Sequence, residues 1–115
     1  MRVAAVVADL LLFSRIESAA SAAGASLVRV DDPSGVPPDA DLVLVDWSAR
    51  GPSWADALRA SRDAGARVIL FGPHVDLDAH AAARDAGLGP MMARSKLVGD
   101  LPSLVTNRIS APDRT

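Results

Sequence analysis

Two apolar runs in this chain each end on an aspartate. The first runs from Arg2 to Asp9 and the second from Asp41 to Asp46, and both consist mainly of valine, leucine and alanine. A continuous Val/Leu run bounded by polar residues is typical of a strand buried on both faces, which occurs in parallel sheets covered by helices on both sides. Such sheets place ligands and chemistry at the carboxyl ends of their strands. The pattern therefore predicts a parallel sheet with Asp9 and Asp46 at its functional edge.

Predicted strands and helices alternate along the whole chain. Apolar spacing and stop signals predict helices over 10–23, from Pro52 to Gly65, from Asp76 or Asp78 to Gly87 and over 96–108, with further strands at 26–30, 42–45, 67–71 and 90–93. This order predicts an α/β, flavodoxin-like, doubly wound parallel sheet of five strands in the order 2-1-3-4-5. Because residues 31–40 hold three prolines and a glycine, we expect the second helix to be missing or reduced to a turn.

Composition limits the classes of function. A chain of 115 residues predicts one domain, here over 1–108, with a flexible C-terminal tail over 109–115. A net charge of -2 argues against a nucleic-acid partner, and the absence of cysteine excludes disulfides and thiolate metal sites. No apolar stretch is long enough for a membrane span, and Asp9 interrupts the only segment that imitates a secretory signal. These features predict a cytoplasmic protein with no membrane contact.

Across nearly its whole length the chain resembles the CheY-like receiver domain of two-component response regulators. The resemblance rests on Val45-Asp46-Trp47-Ser48 at the end of the third strand, on the helix-ending segment 82–87 and on the last strand and turn over 91–95. It implies that Asp46 stands at the phosphoacceptor position. It also implies that Asp9 stands at the second of two acidic positions that hold a magnesium ion in the family.

Other positions depart from the family pattern. Ala8 replaces the first metal-binding acid, Gly72 the switch Thr or Ser, Met91 the switch aromatic residue, Arg94 the lysine and Ser95 the proline. Losing one of two acids weakens a site for a hard cation, so at most weak magnesium binding is expected. The resemblance therefore implies a degenerate receiver, or pseudo-receiver, in which phosphorylation is lost or vestigial.

Both aspartates also have a purely structural interpretation, because Asp readily caps helices and turns at strand ends. Arg94 follows the last predicted strand and reaches the same edge of the sheet. A guanidinium can form a bidentate pair with a carboxylate and hold it in the charged form. We therefore predict that Arg94 is the charge partner of Asp46.

Two other pairs of side chains leave alternatives open. His74 and Asp76 follow the fourth strand, where they would either join a metal site with the aspartates or form a solvated loop. Trp47 and Trp54 flank the loop after Asp46, where they would either form an exposed interaction surface or cover the local core. The sequence pattern does not decide between these interpretations.

The leading hypothesis is a stand-alone receiver-like domain that acts through contact with an unidentified protein partner or as a homodimer. Met91, Met92 and Leu97 lie where receiver-like domains dimerise, although core positions are the more frequent role for such residues. The chain shows no glycine-rich phosphate loop and no nucleophile motif, so we expect no enzymatic activity and no cofactor. Two alternatives are a receiver phosphorylated on Asp46, and a small-ligand or metal binder at the strand edge.

Overall fold

A computed structural model describes residues 1–110 and, among them, the side chains of residues 1–106. Its strands are Arg2–Val6 (β1), Ser26–Arg29 (β2), Leu42–Asp46 (β3), Arg67–Gly72 (β4) and Met92–Ala93 (β5). Its α-helices are Leu10–Ala22 (α1), Trp54–Asp63 (α2), Leu77–Asp85 (α3) and Arg94–Ser110 (α4). Within this range no helix combines the length and the apolar character needed to cross a membrane.

All five strands pair in parallel, in the order β2-β1-β3-β4-β5. Val3 of β1 lies opposite Leu27 of β2 and Leu42 of β3, and β3 pairs with β4 on its other side, so β1 and β3 are central strands. The predicted doubly wound, flavodoxin-like sheet is therefore confirmed. Because the strands are parallel, their carboxyl ends meet at one edge of the sheet, where Asp9 and Asp46 lie.

Alternating side chains of the central strands supply two separate core layers. Val3, Leu42 and Leu44 face α1 and α4, whereas Val43 and Val45 face α2 and α3. Each of these five side chains is almost completely buried. The two layers explain why the valine and leucine runs are continuous rather than alternating with polar residues.

The connection from β2 to β3 contains no α-helix. Its regular structure is a single 3-10 turn, Pro33–Gly35, capped by the Asp32 side chain, which accepts a hydrogen bond from the Ser34 backbone N–H. Pro33 is buried and Val36 packs against the α2 and α3 layer, so the turn covers part of the sheet. The prediction of a reduced second helix is confirmed.

Several element ends differ from the predictions, and the largest differences lie at α2, β5 and α4. Helix α2 begins at Trp54 rather than at Pro52, because the Trp54 N–H first closes a turn onto the Gly51 carbonyl at 3.2 Å. Strand β5 is shorter than predicted, since only Met92 and Ala93 pair with β4. Helix α4 begins at Arg94 rather than at residue 96 and runs through the predicted boundary at 108; residues 111–115 of the predicted tail lie outside the described part.

Adjacent residues of α1 give a matched test of this packing. Leu12 is 2% exposed and belongs to the core layer that α1 and α4 cover, whereas Leu11 is 81% exposed. We expect Leu12→Ala to lower the free energy of unfolding by about 2–5 kcal/mol because it leaves a cavity. Leu11→Ala should change that free energy by no more than about 0.5 kcal/mol. Urea denaturation measures both, and equal losses in the two variants would contradict the assigned helix face.

Candidate functional site

The carboxyl edge of the sheet brings Asp9, Asp46 and Arg94 into one region. Asp9 follows β1, Asp46 is the last residue of β3, and Arg94 follows β5. The sheet order places β1 beside β3, so the two aspartates end neighbouring strands, as predicted. The partners of each carboxylate decide what this edge can do chemically.

Asp9 is the N-cap of α1. Its Oδ1 accepts hydrogen bonds from the backbone N–H of Leu11 at 2.9 Å and of Leu12 at 3.2 Å. Its Oδ2 accepts a hydrogen bond from the Arg94 guanidinium and forms an ion pair with it. The Leu12 N–H, and next the bond from Arg94, hold the pKa of Asp9 below its ordinary value. Both carboxylate oxygens are thus committed to partners within the fold.

The prediction that Arg94 lies against Asp46 is wrong. Helices α1 and α4 cover the same face of the sheet and both begin at its carboxyl edge. Their packing brings Arg94, the first residue of α4, beside Asp9, which caps α1. The ion pair joins the starts of the two helices, and its two residues are 85 positions apart in sequence.

Asp46 forms its hydrogen bonds with Ser48, two residues further along the chain. Its Oδ1 accepts hydrogen bonds from the Ser48 backbone N–H at 3.1 Å and from the Ser48 hydroxyl at 2.5 Å. These bonds cap the 3-10 turn Trp47–Ala49. The Asp-x-Ser spacing is typical of such a turn, and the cap agrees with the structural interpretation of Asp46. Within residues 1–106, the second oxygen, Oδ2, receives no hydrogen bond.

The donor set at this edge does not fit a magnesium ion. Mg²⁺ requires hard oxygen ligands in a near-octahedral arrangement. Ala8 offers no side-chain oxygen, and Asp9 is bound to Arg94 and to two backbone N–H groups. No group of three or more His, Cys, Asp or Glu side chains suited to a metal occurs among the described residues.

Gly72 and Met91, which the resemblance places at the two switch positions of the family, lie in contact. A Cβ added to Gly72 would meet the Met91 Sδ at 3.1 Å, closer than ordinary van der Waals contact. Met91 itself is buried in the α2 and α3 layer. The methionine side chain therefore occupies the space that a larger residue at position 72 would need.

The two tryptophans differ in their surroundings. Trp47 is 2% exposed, and its indole N–H donates to the Ala79 carbonyl at 3.0 Å, which ties the turn after β3 to α3. Of the two roles left open for Trp47, the structure therefore supports the core and not the exposed interaction surface, because a ring with an apolar body and one satisfied donor is suited to the core. Trp54 is half-buried at the start of α2.

The remaining candidates have structural roles or lie exposed. Asp76 caps α3 by accepting from the Ala79 N–H at 3.0 Å, and the His74 side chain is exposed. Met91 and Leu97 are buried in opposite layers of the core, so neither offers a surface for a dimer. The core role, which is the more frequent one for such residues, is therefore the role that both have in this structure.

The lowered pKa of Asp9 predicts a pH dependence of stability. The folded state holds this proton less tightly than the unfolded chain, so ionised Asp9 stabilises the fold above its ordinary pKa of 3.8. This contribution is lost as the pH falls through the lowered folded pKa. We expect Asp9→Asn to reduce the acid dependence of the free energy of unfolding, and Arg94→Met to do so in part. Urea denaturation at a series of pH values measures this, with Glu17→Gln as the control for one lost charge.

The Gly72 contact predicts a coupled effect on stability. We expect Gly72→Thr to lower the free energy of unfolding by about 1–3 kcal/mol through overpacking against Met91. In a Met91→Ala background the same substitution should lower the free energy of unfolding by a smaller amount, because the space is then open. Gly72→Ala is the milder control, since the flexible end of methionine can move. A double-mutant cycle with no coupling energy would contradict the contact.

Comparison with known proteins identifies the fold but no closer relative. A scan against protein-family models finds no match, and no curated protein matches. A response regulator from Thermotoga maritima has 19% identity and a TM-score of 0.66, and covers 95% of this chain and 97% of its own. A response regulator receiver domain protein from Clostridium thermocellum has 17% identity and a TM-score of 0.67, with 97% and 96% coverage.

A third similar structure carries a different description. A candidate CpaE2 pilus assembly protein from Sinorhizobium meliloti has 19% identity and a TM-score of 0.52, and covers 86% of this chain and 95% of its own. The first two neighbours match over almost the whole of both chains, with TM-scores of 0.66 and 0.67. The chain therefore has the fold of the response-regulator receiver domains.

Proposed function

We propose that this chain is a pseudo-receiver: a cytoplasmic, non-enzymatic signalling domain that acts through contact with a protein partner, without phosphorylation of Asp46. The observation that carries the proposal is the engagement of Asp9 by Arg94. In a receiver the acid at this position helps to hold magnesium, which neutralises the charge of the phosphoryl group in transfer. In this chain the Arg94 guanidinium is bonded to that carboxylate. Ala8 supplies no carboxylate at the other acidic position.

The switch positions support the same proposal. A receiver reports phosphorylation through a hydroxyl and an aromatic ring that move with the phosphoryl group. At these positions the chain has Gly72, which lacks a side chain, and Met91, which is packed into the core. A phosphoryl group on Asp46 would therefore lack the usual means of changing the surface.

Exposed apolar side chains support a contact role. Leu10 and Leu11 begin α1, and Val75 and Leu77 lie in the connection after β4 and at the start of α3. All four are at least 66% exposed, and all lie in segments that leave the carboxyl edge of the sheet. Contiguous exposed apolar side chains are typical of surfaces that bind other proteins, and Leu10 and Leu11 are neighbours on α1. A second copy of the chain is one candidate partner.

A receiver that accepts a phosphoryl group on Asp46 is the second candidate. The observation in its favour is Asp46 itself, which is only partly buried and has no hydrogen bond to Oδ2 within the described residues. That oxygen could attack a phosphodonor, although the residues beside it do not fit the magnesium ion that assists such transfer.

Incubation with acetyl phosphate and magnesium separates these two candidates. We expect no phosphoryl adduct by intact-mass spectrometry, while a functional receiver domain treated in parallel is labelled. We also expect magnesium to leave the melting temperature unchanged, since only a ligand bound to the native state raises it. An adduct that is absent in Asp46→Asn would overturn the proposal. So would stabilisation by magnesium that Asp9→Asn abolishes.

A further inference from the structure

We propose that a cavity beside the ends of β1 and β2 binds a small organic ammonium ion. The cavity has a volume of about 180 Å³. Its lining includes Val7, Ala8, Val30, Asp31, Ala49 and Trp54. The site is separate from the Asp9–Arg94 pair and does not depend on the function proposed above.

The cavity follows from the reduced connection between β2 and β3. A full crossover helix would cover the sheet beside β1, but this chain has only the 3-10 turn Pro33–Gly35 there. Val30 leads out of β2 on one side, and Trp54 at the start of α2 forms the wall on the other. The turn is too short to fill the space between them at the carboxyl edge.

The lining combines an aromatic ring, aliphatic walls and one carboxylate. Asp31 is exposed at the rim and makes no hydrogen bond or ion pair within the described part of the chain. Its neighbour Asp32, by contrast, caps the 3-10 turn. An indole ring attracts ammonium groups through its π face, and a carboxylate attracts them by charge. The aliphatic walls suit the alkyl groups of such a cation, and the same carboxylate disfavours anions.

The two cations closest in sequence lie beside the cavity, and each donates to a backbone carbonyl. Arg29 alternates with Val28 and Val30 and so belongs to the opposite face of β2, with its Nε–H donating to the Val7 carbonyl at 2.9 Å. The Arg50 guanidinium lies 5.7 Å from the centre of the Trp47 ring, and its Nη1 donates to the Trp47 carbonyl at 3.2 Å. Neither arginine forms an ion pair with Asp31, so that carboxylate keeps its charge available to a ligand.

The volume limits the size of the ligand. An apolar protein cavity of about 150 Å³ holds a molecule as large as benzene. A cavity of about 180 Å³ therefore admits a cation of roughly five to eight non-hydrogen atoms. Methylated ammonium ions and short alkylamines fall in this range, whereas a nucleotide does not.

Titration with tetramethylammonium chloride, followed by ¹H–¹⁵N NMR, tests the proposal. We expect saturable shifts of the Trp54 indole signal and of the Ala8, Asp31 and Ala49 amides, with a Kd in about the millimolar range for a probe this small. The Trp47 indole, bonded to Ala79, serves as an internal control. Sodium chloride at the same ionic strength controls for screening, and tert-butanol provides a neutral molecule of similar shape.

Two substitutions identify the groups that bind. We expect Asp31→Asn and Trp54→Leu each to weaken the binding by about five- to tenfold. Glu17→Gln, which removes a charge on α1, should leave it unchanged. Because Asp31 is exposed and unbonded, its variant tests the site even if Trp54→Leu fails to fold. Absence of saturation, equal shifts with tert-butanol, or full affinity in Asp31→Asn would overturn the proposal. A phosphoryl adduct on Asp46 would leave it standing.

Discussion

Burial of the two central strands on both faces is the constraint on which the rest of the structure depends. β1 and β3 pair side by side, and their valines, leucines and alanines are almost fully removed from water. Helices must therefore cover both faces, and parallel pairing then brings every carboxyl end to one edge. The positions of Asp9, Asp46 and Arg94 all follow from that requirement.

At that edge, charged and polar groups support the architecture. Asp9 caps α1 and pairs with Arg94, so one carboxylate joins the starts of the two helices on a single face. Asp46 caps the turn that follows β3, and Gly72 and Met91 fill space against each other. In a functional receiver the corresponding positions hold a metal and move on phosphorylation. Here their interactions are with the protein itself, which is the physical basis for the pseudo-receiver proposal.

Local patterns predicted much of this fold. The helix stops at Gly24 and Gly87 were recognisable because glycine readily adopts the positive φ seen at both positions. The prolines of residues 31–40 correctly predicted the missing helix, since proline supplies no N–H to a helical hydrogen bond. The predicted partner of Arg94 was wrong because a long flexible side chain reaches several groups, and the packing of α4 on α1 selects among them.

The sequence by itself determined the order of strands and helices and hence the fold class, because continuous apolar runs, helical periodicity and turn residues are local properties of the chain. It also determined which functional groups are absent, as at Ala8 and Gly72. Only the tertiary structure decided that Arg94 neutralises Asp9, that Trp47 is core, and that a cavity lies between Asp31 and Trp54. Those outcomes depend on distances between segments far apart in sequence, which no local pattern specifies.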